Sequence, residues 1–275
     1  MTVKQPLLSC LLAMSLLPGV AAAASVPTAP SFVRTGTLRS CLDPSFAPME
    51  FYAQAGDAQP VGVDVDLTRA LSQLWGVQMQ LMPVEFTGML PALQAGRCDA
   101  VISAVLLKPE RAKVLATVPY LATYVVIVGR ADSRLQVANE LDLAGLTIAV
   151  ESGTSYAHLL EQINQKIIAA GRKPILIQSY PKDSDAIQQL LVGRAAGVVS
   201  QDTEVAHRNA QGMQFKMLFR LPVRDEYAIY LRPNAADQAS VVAAIAQLKA
   251  NGTLKQIVER WHLPLHTLET DAHQP

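Results

Sequence analysis

The chain has 275 residues, half of them apolar and 17% charged, and its 23 basic side chains cancel 23 acidic ones. This composition excludes a disordered polyelectrolyte and leaves room for one large or two medium α/β domains. Zero net charge supplies no field toward nucleic acid or an anionic membrane, so neither is an expected partner.

Met1 to Ala24 combines one cation, Lys4, an apolar run from Leu7 to Leu17, a Pro18-Gly19 break and the small residues Ala21 to Ala24. That is the pattern of a cleavable export signal over 1–24. The run is too short to cross a hydrocarbon layer of about 30 Å, and no later stretch approaches the ~20 uninterrupted apolar residues a spanning helix needs. Leu7-Leu8-Ser9-Cys10 precedes most of the apolar region that a lipid-anchor box should follow, so a lipid anchor is rejected. Cleavage after Ala24 leaves 251 residues of net charge −1.

Thr37 to Leu42 reads as a first strand, followed by Leu67, Ala70, Leu71 and Leu74 at helical spacing behind Asp64, a cap candidate. Val77 to Leu81 and Ala100 to Ser103 add strands, with Met89 to Leu93 helical between them, and Tyr124 to Val128 bridges onward. The pattern then restarts: strand Leu146 to Val150, a helix carrying Tyr156, Leu159, Ile163 and Ile167, strand Ile175 to Ile177, a helix at Ile187, Leu190 and Leu191, and strand Gly197 to Ser200. Tyr227 to Leu231 returns as a strand. The closing helices carry Val241, Ile245 and Leu248, then Leu254, Ile257, Val258 and Trp261, with Asn251-Gly252 between them. A βαβαβ order used twice implies parallel-rich sheets with right-handed crossovers. A repeat supports two lobes of similar build: Leu93 to Ser103 overlays Leu190 to Ser200, 97 residues on, with Leu, Gly, Arg, Val and Ser recurring in place. Similar composition at two helix-to-strand joints is the alternative source of that match.

Ligands of open parallel sheets bind at the carboxyl ends of strands. Four such ends are polar here: Asp43-Pro44-Ser45-Phe46; Ser103 with Arg111 eight residues later; Glu151-Ser152-Gly153-Thr154-Ser155; and Ser200-Gln201-Asp202. Arg111 lies in a helical first turn opened by Pro109, where the dipole disfavours a cation, so it needs an anionic partner. A guanidinium holds a carboxylate by two parallel hydrogen bonds, with amides of the turn in support; a surface pair with Glu110 is the competing reading. Asp202 suits an ammonium group or a helix cap, Gly153 to Ser155 a ligand or a cap, and Phe46 and Phe86 a ligand platform or the core. Hydrolase elbows and nucleotide loops are absent. His262 and His266 are separated by Pro264, so no metal set forms, and no cofactor or catalytic residue is expected. Trp75 and Trp261 fall on apolar helix faces. Cys41 lies near the end of its strand and Cys98 before the start of a parallel neighbour. A four-residue offset at about 3.3 Å each separates them by ~13 Å, beyond disulfide reach, and predicts free thiols.

Leu38-Arg39, Asp43 to Phe51, Gly62 to Leu67, Phe86 to Leu93 and Pro109 to Ala112 together resemble the family 3 periplasmic solute-binding proteins of ABC transporters. Pro119-Tyr120, Leu143 to Gly145, Ser152 to Thr154 and Asn251 to Leu254 continue the likeness in order along the chain. The resemblance implies the periplasmic binding protein type II fold: two Rossmann-like α/β lobes joined by two crossing segments, with lobe one over 32–126 and 224–270 and lobe two over 127–223. It implies a monomeric periplasmic protein that captures an amino acid or related small carboxylate for a membrane permease. The ligand positions it carries over are Asp43, Phe46, Phe86, Ser103, Arg111, Thr154, Ser155 and Asp202, the last as ammonium acceptor. Ala104 and Leu106 depart from the polar residues usual at their positions, and Glu151 and Tyr156 stand as readers of a ligand side chain. Arg39 to Pro44 and Gly96 to Asp99 also resemble binding proteins associated with quinoprotein dehydrogenases. The dehydratases of cyclohexadienyl substrates share the fold, which leaves an accessory role and an enzyme as alternatives.

Overall fold

Thr37–Leu42 forms the first strand, β1, with the bounds its apolar pattern predicts. It belongs to a computed structural model that describes Met1 and residues 27–270; apart from Met1, the expected export signal lies outside the described residues. The chain continues through the short pair β2 (Ser45–Phe46) and β3 (Glu50–Phe51), then α1 (Val63–Trp75), β4 (Gln78–Pro83), α2 (Phe86–Gln94), β5 (Ala100–Val101), α3 (Pro109–Ala112) and β6 (Ala116–Arg130). The second run is β7 (Thr147–Glu151), α4 (Tyr156–Ala169), β8 (Leu176–Tyr180), α5 (Asp183–Leu191), β9 (Gly197–Gln201) and α6 (Asp202–Ala210). The returning strand β10 (Phe215–Leu231) leads into α7 (Ala235–Ala250) and α8 (Thr253–Arg260).

Two parallel triplets carry the expected βαβαβ order. The sheet runs β4-β1-β5-β10-β6-β9-β7-β8, with β1 parallel to β4 and β5, and β7 parallel to β8 and β9. They are not separate sheets. The expected bridge at Tyr124 to Val128 is the middle of a 15-residue strand, and the returning strand has 17 residues. These antiparallel partners are long enough to pair with β5 at one end and β9 at the other, joining eight strands into one sheet. Their pairing is interrupted between Arg220 and Arg224, near the middle.

Asp64 is not the cap of α1. Gly62 takes that position with φ 138°, where a Cβ would meet the Met49 carbonyl oxygen at 2.2 Å. Asp64 is instead fully buried in the first turn and accepts from Ala104 N at 2.6 Å and Tyr120 Oη at 2.7 Å. α1, α7 and α8 pack on one another around Leu67, Leu71, Val241, Ile245, Leu254 and Val258. Trp75 and Trp261 are half-buried against this core, and Trp261 Nε1 donates to Asp66 Oδ2 at 3.0 Å. Among the described residues no helix is long and apolar enough to cross a membrane.

The expectation of free thiols is overturned. Cys41 and Cys98 form a disulfide, with Cα atoms 5.7 Å apart. The strand register pairs Cys41 with Val101, as a parallel neighbour should. The error lay in treating residues 98–101 as extended. Gly96, at φ 71°, turns the chain out of α2, and Cys98 arrives over the sheet face before Asp99 N bonds to Arg39 O. Both sulfurs lie beneath α2 among Met89, Ala92, Leu93 and Tyr230, in a fully buried cluster.

Candidate ligand-binding site

The carboxyl ends of β1, β5, β7 and β9 converge on one cavity enclosing about 430 Å³ of non-protein space, part of it open to solvent. Seven of the eight positions taken from the sequence line it: Asp43, Phe46, Phe86, Ser103, Arg111, Thr154 and Ser155. Ala104 and Leu106 line it too, so the two departures stand on its wall. Parallel strands deliver their ends to the same side of the sheet, which is why loops so distant in sequence meet here.

Arg111 reaches across this space. Its Nη1 donates to Leu106 O at 3.1 Å and its Nη2 to Gly153 O at 3.4 Å, and the guanidinium carbon stands 5.7 Å from the centre of the Phe86 ring, a cation–π distance. No carboxylate lies within salt-bridge distance of it among the described residues, so pairing with Glu110 is not its role. Two amides of its turn are already taken, since Arg111 N and Ala112 N both bond to Lys108 O at 3.0 Å. Ser103 Oγ donates to Glu50 Oε1 at 2.8 Å and accepts from Asp43 N at 2.9 Å, while Asp43 Oδ2 accepts from Phe86 N at 2.7 Å. Thr154 Oγ1 donates to Glu151 O at 2.7 Å, which secures the loop before α4. Ser155, at the helix start, makes no capping bond.

Asp202 departs from the expected set. It begins α6 outside the cavity, and its carboxylate is already engaged. Oδ1 accepts from Thr123 Oγ1 at 2.9 Å and Tyr124 N at 3.1 Å, and Oδ2 lies 2.9 Å from His266 Nε2. Gln201, one residue earlier, faces the cavity instead and bonds to Tyr156 and Tyr227 through their hydroxyls. The alternation of side chains along a strand explains the exchange: adjacent residues at a strand end point to opposite faces.

Glu50 and Asp183 are cavity residues not singled out in the sequence, and Gln201 stood there only as part of the polar strand end Ser200-Gln201-Asp202. Glu50 lay within the segment Asp43 to Phe51, and Asp183 opened a helix, where an acid ordinarily needs no further explanation. Here both are 2% exposed, and each is backed by a second carboxyl, Asp64 behind Glu50 and Glu204 behind Asp183. Burial, then the neighbouring acid, holds Glu50 and Asp183 well above the usual carboxylate range. Burial lifts Asp64 to about 6, against hydrogen bonds from Glu50, Tyr120 and Ala104 N that oppose it. Asp43 is raised by burial and lowered in part by bonds from Ser45 and Phe86 N. Glu151 is pushed to about 8, by burial first and then by the charge of Asp43.

Gly153 marks where the two sides touch. At φ 79° its Cα faces Thr87, and an added Cβ would sit 2.7 Å from Thr87 Cγ2. Gly153→Ala is therefore expected to part the two sides and weaken ligand binding tenfold or more, alongside a stability loss of about 1–2 kcal/mol from the left-handed backbone. Calorimetric titration combined with a thermal melt checks both effects. Unchanged affinity would mean that this contact has no part in capture.

Residues 38–264 match the bacterial extracellular solute-binding proteins, family 3. The chain belongs to that family. Over 234 residues it is 28% identical to the L-cystine-binding protein TcyJ of Escherichia coli K12, covering 82% of each chain. It is also 28% identical over 208 residues to the ABC transporter arginine-binding protein 1 of the same organism, covering 73% of this chain and 81% of that one. The solved structure of an ancestral amino acid-binding protein, a precursor of cyclohexadienyl dehydratase, superposes with a TM-score of 0.74 at 25% identity, over 84% of this chain and 97% of its own.

Proposed function

We propose that the protein, exported to the periplasm by the signal at 1–24, captures an amino acid or related small carboxylate, leaves it chemically unchanged and delivers it to the permease of an ABC transporter. The observation that carries this is the Arg111 guanidinium, which faces the cavity and, among the described residues, has backbone carbonyls and the Tyr230 hydroxyl as hydrogen-bond partners and no carboxylate within ion-pair distance. A ligand carboxylate replaces those carbonyl contacts with stronger charge-assisted bonds. Phe46 and Phe86 supply apolar walls, Asp43 and Ser103 acceptors and donors from one lobe, and Thr154 and Ser155 from the other. The lobes are 32–126 with 224–270, and 127–223. The interrupted pairing between Arg220 and Arg224, opposite Val126 and Tyr124, supports that boundary and gives closure a place to bend. A buried disulfide suits an oxidising compartment, and the family and relatives support amino-acid transport.

A thermal-shift screen with free amino acids tests the reading. A ligand at 100 times its dissociation constant stabilises by about 2.7 kcal/mol, which raises the midpoint of a chain this size by roughly 5–10 °C. Ligand recovered unchanged after incubation supports capture. No shift with any amino acid, or conversion of the ligand, would refute it.

A further inference from the structure

Carboxyl groups outnumber the cations that face the cavity. Asp43, Glu50, Glu151 and Asp183 line it against the single guanidinium of Arg111. Among the described residues no basic nitrogen lies within 4.0 Å of the Asp43, Glu50 or Glu151 carboxylates, and Asp183 has only Arg208, at 3.9 Å. A simple zwitterion brings one carboxylate for Arg111 and one ammonium for an acid, and leaves the other carboxyl groups without a charged partner. An amino acid whose side chain carries a second positive charge gives one of them such a partner. An organic cation fits better than a metal ion, since among the described residues no three His, Cys, Asp or Glu side chains are grouped to hold one.

Glu151 is placed to take that charge. It ends β7 on the side of the cavity opposite Arg111's own loop, is 7% exposed, and lines the space beside Thr154, Ser155 and Tyr156. Among the described residues, the polar group set against its carboxyl is the Asp183 backbone N–H. Asp202, the acid expected to meet a ligand cation, is held outside by Thr123, Tyr124 and His266. Resting on the reading of amino-acid capture, we propose that Glu151 seats a guanidinium or ammonium group on the ligand's side chain.

The surroundings of Glu151 agree. Asp43 follows β1, Glu50 is on β3, Asp183 on α5 and Glu204 on α6, all acidic; Arg111 on α3 faces it across the cavity, while Lys182 lies near Asp43 and Arg208 is paired with Glu204. Burial, then the charges of Asp43 and Glu204, raise the group to about 8 against the Asp183 N–H, so the neutral acid predominates at pH 7 before a ligand arrives. The sign follows. Below that value a cation must displace a proton, so affinity rises with pH, approaching tenfold per unit for one proton, and levels off above it.

L-Arginine and L-citrulline, which differ in a guanidinium against its neutral urea counterpart, separate the possibilities. Calorimetric titration of the full chain between about pH 6 and 9 is expected to show at least tenfold preference for L-arginine, an affinity that climbs with pH, and a heat that depends on the buffer because a proton is released. Glu151→Gln is expected to erase the preference and the pH slope, Glu151→Asp to keep both in weaker form, and Asp202→Asn to change neither. Wild-type preference for a neutral or acidic amino acid, or a Glu151→Gln variant that keeps the arginine preference and slope, overturns this inference and leaves amino-acid capture standing. Binding of no amino acid removes both. The buffer-dependent heat is read on the wild type, so it decides the question even where a variant fails to fold.

Discussion

Arg111→Ala is expected to lower amino-acid affinity by 100-fold or more, which corresponds to about 3 kcal/mol. A hydrogen bond to a charged group contributes roughly 1.5–3 kcal/mol, and a guanidinium offers two in parallel to a carboxylate. The fold should survive. Among the described residues Arg111 forms no ion pair, and the Leu106 carbonyl it touches keeps a bond from Tyr230 Oη at 2.6 Å. The Gly153 carbonyl loses a 3.4 Å contact on a partly exposed loop, a small cost. Arg111→Lys separates charge from geometry. It keeps the positive charge without the planar fork and is expected to fall between wild type and Ala. Calorimetry beside a circular-dichroism melt reads both. Affinity within threefold of wild type for the Ala variant would remove Arg111 from the site.

Loss of the Cys41–Cys98 disulfide is the second large effect. The bond joins residues 57 apart in sequence, and the chain-entropy relation for a loop of that size gives a stabilisation of about 4 kcal/mol, within the 2–5 kcal/mol usual for native disulfides. For a chain of this length that is a fall in melting midpoint of roughly 8–16 °C. Cys98→Ala is the cleaner variant. A serine would bury a hydroxyl among Met89, Leu93 and Tyr230, where nothing apolar can pair with it, and would add a desolvation penalty to the effect under study. Melting the variant beside wild type, oxidised and reduced, is the measurement. Wild-type midpoints equal with and without reductant would show that the bond contributes no stability.

The strands and helices were legible because their signals are local. Thr37–Leu42 and Thr147–Glu151 alternate or run apolar over a few residues, and the helix carrying Tyr156, Ile163 and Ile167 repeats at helical spacing. What the sequence could not disclose is tertiary. The approach of Cys98 to Cys41 depends on the path taken out of α2, not on strand register, so a calculation from strand spacing placed the sulfurs too far apart. The same holds within the site. Strand ends pointed to Asp43, Ser103 and Arg111 because polar residues after apolar strands stand out, whereas the choice between Gln201 and Asp202 turned on one residue of side-chain phase. Glu50 with Asp64, and Asp183 with Glu204, became visible as pairs only once separate segments met.

The repeat that joins Leu93–Ser103 to Leu190–Ser200 extends further than those segments. Eight residues beyond Ser103 stands Arg111, and eight beyond Ser200 stands Arg208. The two arginines differ in place and in company: Arg111 lines the cavity and Arg208 does not. Arg208 is bound to Glu204 at 2.6 Å and lies 3.9 Å from Asp183, acids of its own half, while Arg111 has carbonyls. The acids of the second half hold Arg208 among themselves, and Arg111 is left as the one guanidinium among the residues that line the cavity.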